Sequence, residues 1–477
     1  MVKDRRTSGK WDVAIIGAGP AGLAAAMEAS KHGLSAVLFD EQHSPGGQVY
    51  RALEAPTSSR EWAGSILGPD YLSGRPLIDA FRSSGCDYRP GSLVWQVLPD
   101  GTLGIHDASG IWQTSVRRAI LCTGAQERPV PLPGWTLPGV MTVGAAQTLL
   151  KSSGLVPSGR VAIAGSGPLV YLFASQLLRA GVECLSILIT TPSRQIRPRP
   201  SDLPAMIGLR KDFLKGYRWV RKLRACADRF VASGVTDIRI AEGSRMKSLS
   251  FVHAGRAETV EADLVLLHEG VIPNIQITRS LRCDHNWDAL QRCWVPATDA
   301  WGATSQPAIA LAGDGAGIMG ASVAPLRGQL AALDAAFRIG RLSETQRDRQ
   351  AAPLLARVDR VLPGRRLLDR MFSPDPGMLL PPGPDAIVCR CEDVTRGAIE
   401  AAVAEGATDC NLVKTATRCG MGPCQGRMCG VTIAEVIASS LGIAVHDVSA
   451  LRGRFPIKPV PLAAFVALAA VPESHAS

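Results

Sequence analysis

Two stretches of the chain share one hydrophobic pattern. Trp11-Asp12-Val13-Ala14-Ile15-Ile16 is apolar at nearly every step, as in a parallel strand covered on both faces. It runs into Gly17-Ala18-Gly19-Pro20-Ala21-Gly22, a helical pattern over residues 23–32 and a second strand over 35–39. Far downstream, Arg160-Val161-Ala162-Ile163-Ala164 leads into Gly165-Ser166-Gly167-Pro168-Leu169-Val170 and a further strand over 184–189. Strand, turn, helix and strand in this order predict βαβ units and an α/β fold with parallel Rossmann-type sheets. A basic helical connector is expected over 341–370 and a proline-rich hinge over 374–384. Beyond it, Thr395 is placed to cap a short helix ending near Ala404, and Thr408 to open another ending near Thr415. Apart from the two glycine-turn units, no internal repeat or low-complexity tract is visible.

The first glycine turn has the spacing for a dinucleotide. Gly17 permits the tight turn, Gly19 lets backbone approach a pyrophosphate, and Gly22 lets helix and strand pack closely. The helix opening at Pro20 and Ala21 points its N-terminus at the anion. Asp40 and Glu41 end the second strand, where a carboxylate takes ribose hydroxyls. The second turn lacks two of these features. Val170 stands where the third glycine would be, and the strand after it ends in Thr190-Thr191 with no acid. This leaves a nicotinamide site, a site for another nucleotide and a retained scaffold all open.

Composition narrows the class. Hydrophobic residues make up 46% of the 477 and charged residues 20%, a globular balance. The formal charge is +10, and residues 194–229 hold eleven Lys or Arg against three Asp, either a solvated helix face or a docking surface. No zinc finger, RNA-binding signature or aromatic-interleaved basic groove occurs, so nucleic acid is not an expected partner. Residues 1–10 are polar and basic and do not read as a signal peptide. No apolar run reaches about 18 residues, so no transmembrane segment is expected; the apolar run 459–471 reads as a packed tail or subunit contact.

Six of the twelve cysteines fall between Cys389 and Cys429, which argues for metal ligation in a reducing, cytoplasmic setting. Cys389 and Cys391 form C-x-C, and Cys419, Cys424 and Cys429 follow in Cys-Gly-Met-Gly-Pro-Cys-Gln-Gly-Arg-Met-Cys. Two short helices between these loops would bring the thiols to one end of a small bundle. Four thiolates suit a [2Fe–2S] centre or structural zinc. The remaining cysteines read as buried structural residues, and His43, His106, His253, His268 and His285 as structural or surface.

Several of these segments resemble known families. Pro45-Gly46-Gly47-Gln48, Leu121-Cys122-Thr123-Gly124-Ala125 and Leu311-Ala312-Gly313-Asp314-Gly315 resemble the successive FAD contacts of the two-dinucleotide-binding-domain, glutathione-reductase-like flavoproteins. That resemblance implies FAD at the first turn, held by Gly17, Gly19, Pro20, Ala21, Gly22, Asp40, Glu41, Gly46, Gly47, Gln48, Thr123, Gly124, Gly313 and Asp314. A helix from about Ser322 would then face the flavin. The cysteine segment resembles the bacterioferritin-associated-ferredoxin-like (BFD-like) [2Fe–2S] module, in the version found in anaerobic glycerol-3-phosphate dehydrogenases and opine oxidase large subunits. It implies Cys389, Cys391, Cys424 and Cys429 as ligands, with Cys419 an extra thiol. The whole chain is similar to opine oxidase A subunits (nopaline and octopine dehydrogenases), to the B subunit of hydrogen cyanide synthase and to hydroxyproline or proline dehydrogenase α subunits.

The implied plan is an FAD-binding domain in two parts, 1–150 and 269–340, around an NAD(P)-like domain, 151–268. A connector (341–384), the [2Fe–2S] domain (385–445) and a tail (446–477) follow. Electron transfer is implied, with no catalytic residue here. An amine-oxidase-like flavoprotein β subunit would oxidise the C–N bond of an amine, opine or amino acid. The resemblance also admits a small ferredoxin-like subunit, FMN at a subunit interface and a quinone acceptor reached by peripheral membrane association. A self-sufficient NAD(P)H:acceptor reductase is the rival enzyme class.

Overall fold

Each predicted apolar strand forms the middle of a parallel sheet in the computed structural model, which describes residues 11–55, 62–197 and 199–469. Residues 1–10 and the end of the apolar run 459–471 lie outside the described residues. The first sheet has the order Ile309–Leu311, Arg118–Leu121, Val13–Ile16, Ala36–Asp40, Asp87–Pro90, all parallel. Val13 pairs with Ala36 and Arg118, so the central strand is covered on both edges as well as both faces. Val13, Ala14, Ile15, Val37, Leu38 and Phe39 are fully buried, which is why these strands are apolar without alternation.

The second sheet repeats the arrangement with the order Arg229–Val231, Leu185–Ile189, Val161–Ser166, Leu264–Glu269, Val140–Thr142. In each half a three-stranded antiparallel meander precedes the strand that returns beside the central one. Leu93–Val97, Thr102–Asp107 and Gly110–Ser115 do so in the first half. Thr236–Glu242, Lys247–His253 and Arg256–Ala262 do so in the second. The halves are joined by a two-stranded antiparallel ribbon of Ala125–Glu127 and Val271–Pro273.

The helix after the first turn, Pro20–Lys31, packs against Ala324–Arg338. Behind them runs one long helix, Glu344–Met371, with Ser343 and Gln346 forming a capping box at its start. The cysteine-rich segment then folds as a small unit of its own. Strands Ile387–Cys389 and Val394–Thr395 lead into helices Arg396–Ala404, Cys410–Thr417 and Gly430–Leu441. Val388, Ile399, Val413, Ile433, Val436 and Ile437 form its core. Thr395 caps the first helix as expected, but Asp409, not Thr408, caps the second, accepting from the amides of Asn411 and Leu412 at 2.6 and 3.0 Å. This unit is pinned to the rest by Arg292 on Glu435, Trp135 Nε1 on the Ile387 carbonyl (2.8 Å) and Gln126 Nε2 on the Arg427 carbonyl (2.9 Å).

The tail crosses back over the first half. The Ile457 amide donates to the Trp95 carbonyl at 3.1 Å, Gln425 holds the Pro456 carbonyl, and Lys458 pairs with Glu41. Helix Leu462–Ala469 ends the described chain, its Phe465 ring 5.1 Å from Trp95. The basic stretch forms the exposed helix Arg210–Cys226, of which only Leu223 is buried. No helix among the described residues is long and apolar enough to cross a membrane.

Candidate functional site

At the C-terminal edge of the first sheet, a cleft of about 520 Å³ gathers nearly all of the residues expected at a dinucleotide site. Gly17, Gly19, Pro20, Ala21, Asp40, Glu41, Gly47, Gln48, Thr123, Gly124, Gly313 and Asp314 line it. That size suits a ligand pocket. Gly22 and Gly46 act from behind the wall. A Cβ on Gly22 would lie 1.9 Å from the Gly17 carbonyl oxygen, and one on Gly17 would lie 2.5 Å from that of Cys122. The Gly17 backbone also sits at φ +103°, which side chains rarely adopt. The Gly46 amide donates to the Ala18 carbonyl at 2.8 Å, bringing the 46–48 loop over the turn.

Polar groups in this cleft are left ready for a partner. Asp40 Oδ1 accepts from the Gln42 amide at 3.2 Å, whereas its buried Oδ2 has no partner among the described residues. Burial pushes the Asp40 carboxyl up to about 6. Glu41 is tied to Lys458 from the tail. Asp314 Oδ1 accepts from the amides of Met319 and Gly320, both at 2.9 Å, and so shapes the loop before helix Ala324–Arg338. That helix starts two residues later than expected, and Ala324 lines the cleft.

Lys151, Gln147 and Arg427 also face the cleft, although sequence reasoning missed them. Lys151 Nζ donates to the Gln48 carbonyl at 3.0 Å, and burial lowers its ammonium to about 8. A signal existed for it. Gln147 and Lys151 lie on the buried stripe of helix Val143–Ser153, where apolar residues belong. Arg427 comes from the Cys424–Cys429 loop, and no pattern in the sequence links it to the first glycine turn.

The second glycine turn is built differently. Val170 is fully buried against the core, as its branched side chain requires. His268 lies over the turn: a Cβ on Gly167 would be 3.5 Å from its Nε2, and its Nδ1 is 2.7 Å from Glu127 Oε1. Thr190 donates to Glu269 at 2.6 Å, and Ser166 and Thr191 share a 2.6 Å hydrogen bond. Burial pushes the Glu269 carboxyl up to about 7. Where an open site would show free donors and acceptors, these side chains satisfy one another.

The thiols gather at one end of the small helical unit. The Sγ atoms of Cys389, Cys419 and Cys429 all lie within 4.8 Å of one another, and all three residues are buried. Hydrogen bonds from Cys419 and Cys429 hold the Cys389 thiol far below its usual range. Cys391 is exposed and engages Cys424 instead. The expected ligands therefore fall into two neighbouring groups here, with Cys419 drawn into the buried one. Cys410 is a buried helix residue, as expected.

Residues 11–332 match the family described as pyridine nucleotide-disulphide oxidoreductase, and residues 384–469 match the sarcosine oxidase A3 domain. The A subunit of opine oxidase from Rhizobium meliloti is 41% identical over 462 residues, covering 95% of this chain and 86% of that protein. Hydrogen cyanide synthase subunit HcnB of Pseudomonas aeruginosa is 34% identical over 477 residues, covering 94% and 97%. Among solved structures, L-proline dehydrogenase from P. horikoshii superposes with a TM-score of 0.67 at 18% identity, covering 96% of this chain and 79% of that one. The fold is thus that of an FAD-dependent oxidoreductase with a small cysteine-bearing helical domain attached. Its sequence kinship extends across both sheets and the cysteine unit, and the chain belongs to the opine oxidase A-subunit family of flavoprotein oxidoreductases.

Proposed function

We propose that this chain is the electron-transfer subunit of a heteromeric amine or opine dehydrogenase, holding FAD at the first glycine turn and a [2Fe–2S] centre among its clustered cysteines. Oxidation of the C–N bond belongs to a partner flavoprotein subunit of the amine-oxidase type. The observation that carries this reading is Arg427: it lies in the loop between Cys424 and Cys429 and also lines the dinucleotide cleft. The loop is held there by Gln126, on the ribbon between the halves. The names of the relatives, subunits of oxidases and of a synthase, support the need for a partner.

Bound FAD would supply two-electron chemistry and a [2Fe–2S] centre one-electron transfer. The residues fit both groups. Gly17 and Gly22 let turn, strand and helix pack where a side chain would strike backbone, and Asp40 lines the cleft with one carboxylate oxygen unpartnered among the described residues. Lys151 contributes positive charge within the cleft. Soft thiolates in a buried unit suit iron–sulfur ligation, and Cys389, Cys391, Cys424 and Cys429 are our ligand set. Cys419 is a fifth thiol beside them. The filled second turn argues against nicotinamide as electron source, and a reducing, cytoplasmic setting suits the thiols.

The test is purification with co-eluting partners, followed by flavin, iron and sulfide quantitation before and after addition of an opine. We expect yellow protein, iron with equal inorganic sulfide, and bleaching by substrate only when the partner is present. Cys424→Ser should lose iron and sulfide, and Cys419→Ser should keep both. Opine oxidation by the isolated chain with an artificial acceptor would overturn the assignment. Zinc in place of iron and sulfide would overturn the cluster.

A further inference from the structure

The basic stretch 194–229 lines neither the dinucleotide cleft nor the core of the cysteine unit. Two consecutive helices carry most of it, Leu203–Gly208 and Arg210–Cys226. Fifteen large apolar side chains are exposed among the described residues, and four of them, Leu203, Ile207, Leu214 and Tyr217, fall on these two helices. Each of the four is more than half exposed, and Tyr217 is the only exposed aromatic ring among the described residues. Single exposed apolar residues are ordinary, whereas a local group of them marks an interaction surface.

These side chains are not core residues left out of place. Leu223 enters the main core, and Phe213, Trp219 and Val220 are half-buried, so the longer helix already packs an apolar face against the body. The shorter helix is pinned at both ends. A Cβ on Gly364 would meet the Leu209 side chain at 2.7 Å, and Asp202 pairs with Arg370.

On the outward face, apolar and cationic residues alternate. Arg210 and Arg218 lie four residues to either side of Leu214, and Arg221 lies four after Tyr217, which sets them side by side. Leu203 and Ile207 are likewise four apart. Of the seven Lys and Arg on the longer helix, only Lys215 has an acidic partner among the described residues, Asp70. Asp212, the one acid of that helix, is two residues from Leu214 and so turns to nearly the opposite side.

Such a face matches a partner that offers anions with apolar substance beneath them. An acidic protein surface would pair with the arginines but leave Leu214 and Ile207 against charge. A phospholipid surface satisfies both sets, with phosphates at the level of the guanidinium groups and acyl chains below for the aliphatic and tyrosine side chains.

We propose that the outward face of helices Leu203–Gly208 and Arg210–Cys226 docks on an anionic phospholipid bilayer, with Leu203, Ile207, Leu214 and Tyr217 entering the headgroup layer and the arginines pairing with lipid phosphates. The chain rests on the bilayer and does not cross it. This surface goes beyond the electron-transfer reading and stands without it, since vesicle binding can fail while flavin and iron are both present.

Cosedimentation of the full chain with vesicles tests this, using phosphatidylcholine alone and phosphatidylcholine mixed with phosphatidylglycerol. We expect binding to the mixed vesicles that weakens with added salt, and at least about tenfold weaker binding to phosphatidylcholine alone. Leu214→Ser with Tyr217→Ser leaves the charge unchanged and should weaken binding about tenfold. Arg218→Gln with Arg221→Gln should weaken it about twenty-five-fold, at about fivefold for each cation lost. Removing the same charge from the second meander, by Arg239→Gln with Arg256→Gln, should change it less than about threefold. All six side chains are exposed, so these variants should fold as the parent does. Failure to bind the mixed vesicles, an unaltered Leu214→Ser and Tyr217→Ser variant, or an equal loss from the meander variant would each overturn the proposal.

Discussion

At the end of the first central strand the chain lines an open cleft, whereas at the end of the second its polar side chains pair with one another. Around Gly17–Gly22 lies a cleft of about 520 Å³ with one oxygen of buried Asp40 unmatched among the described residues. Around Gly165–Val170, His268 covers the turn and is held by Glu127, while Thr190 satisfies Glu269. Both halves share the order of four strands and the same inserted meander, differing only in the strand added at one edge. Fold therefore does not separate them. What separates them is whether buried polar groups are matched within the protein or left for something else to match.

The sharpest way to break this contrast is to exchange the residues at the third glycine position. Gly22→Val should abolish bound flavin, since even a Cβ there lies 1.9 Å from backbone, and should cost about 3 kcal/mol in urea unfolding. The reverse exchange, Val170→Gly, should cost stability but allow no bleaching of flavin by NADH, because His268 still covers the turn. Bleaching by NADH in that variant would erase the distinction between the halves.

Next in size is the sealed acid of the second half. Glu269 is raised from 4.5 to about 7 when folded. It therefore contributes stability that is complete below about pH 4.5 and lost as pH rises through about 7. Glu269→Gln keeps an acceptor for Thr190 and cannot ionise. At pH 8 it should be more stable than the parent by about 2 kcal/mol, with the gap closing near pH 5, in unfolding curves at both pH values. Cofactor should leave this difference unchanged.

The open acid of the first half shares that sign but should also be linked to the ligand. Asp40, raised from 3.8 to about 6, loses its stabilising protonation as pH rises through about 6, and ionised it can accept from ribose hydroxyls. FAD affinity should fall about fivefold to tenfold between pH 7 and pH 5 and become nearly pH-independent in Asp40→Asn. Equilibrium dialysis at the two pH values checks this. The smallest effect is expected from Lys458→Ala, which frees Glu41. That pair is partly exposed, so a change below about 1 kcal/mol, fading with added salt, is the expected outcome.

Much of the first half could be read directly from the sequence because local spacing sets its geometry. The strand, the glycines and Asp40 lie within one βαβ unit, and their roles follow from backbone contacts a few residues apart. The second half was legible only as a deficit. Val170 announced that the turn was altered, but His268 comes from a strand about a hundred residues later, and no pattern assigns it to Gly167. The cysteines show the same limit. The family resemblance grouped Cys389 and Cys391 with Cys424 and Cys429, whereas side-chain packing joins Cys389 and Cys429 to Cys419 and leaves Cys391 with Cys424. Spacing along the chain does not say which way a thiol turns. Arg427 and Lys458 reach the cleft from outside the two halves, so nothing near the first turn could reveal them.

The ribbon of Ala125–Glu127 and Val271–Pro273 joins three bodies at once. It is the axle on which the two halves meet, Glu127 holds the imidazole over the closed turn, and neighbouring Gln126 grips the cysteine loop. A change in how either half meets the ribbon would therefore reach the thiol-bearing unit through Gln126.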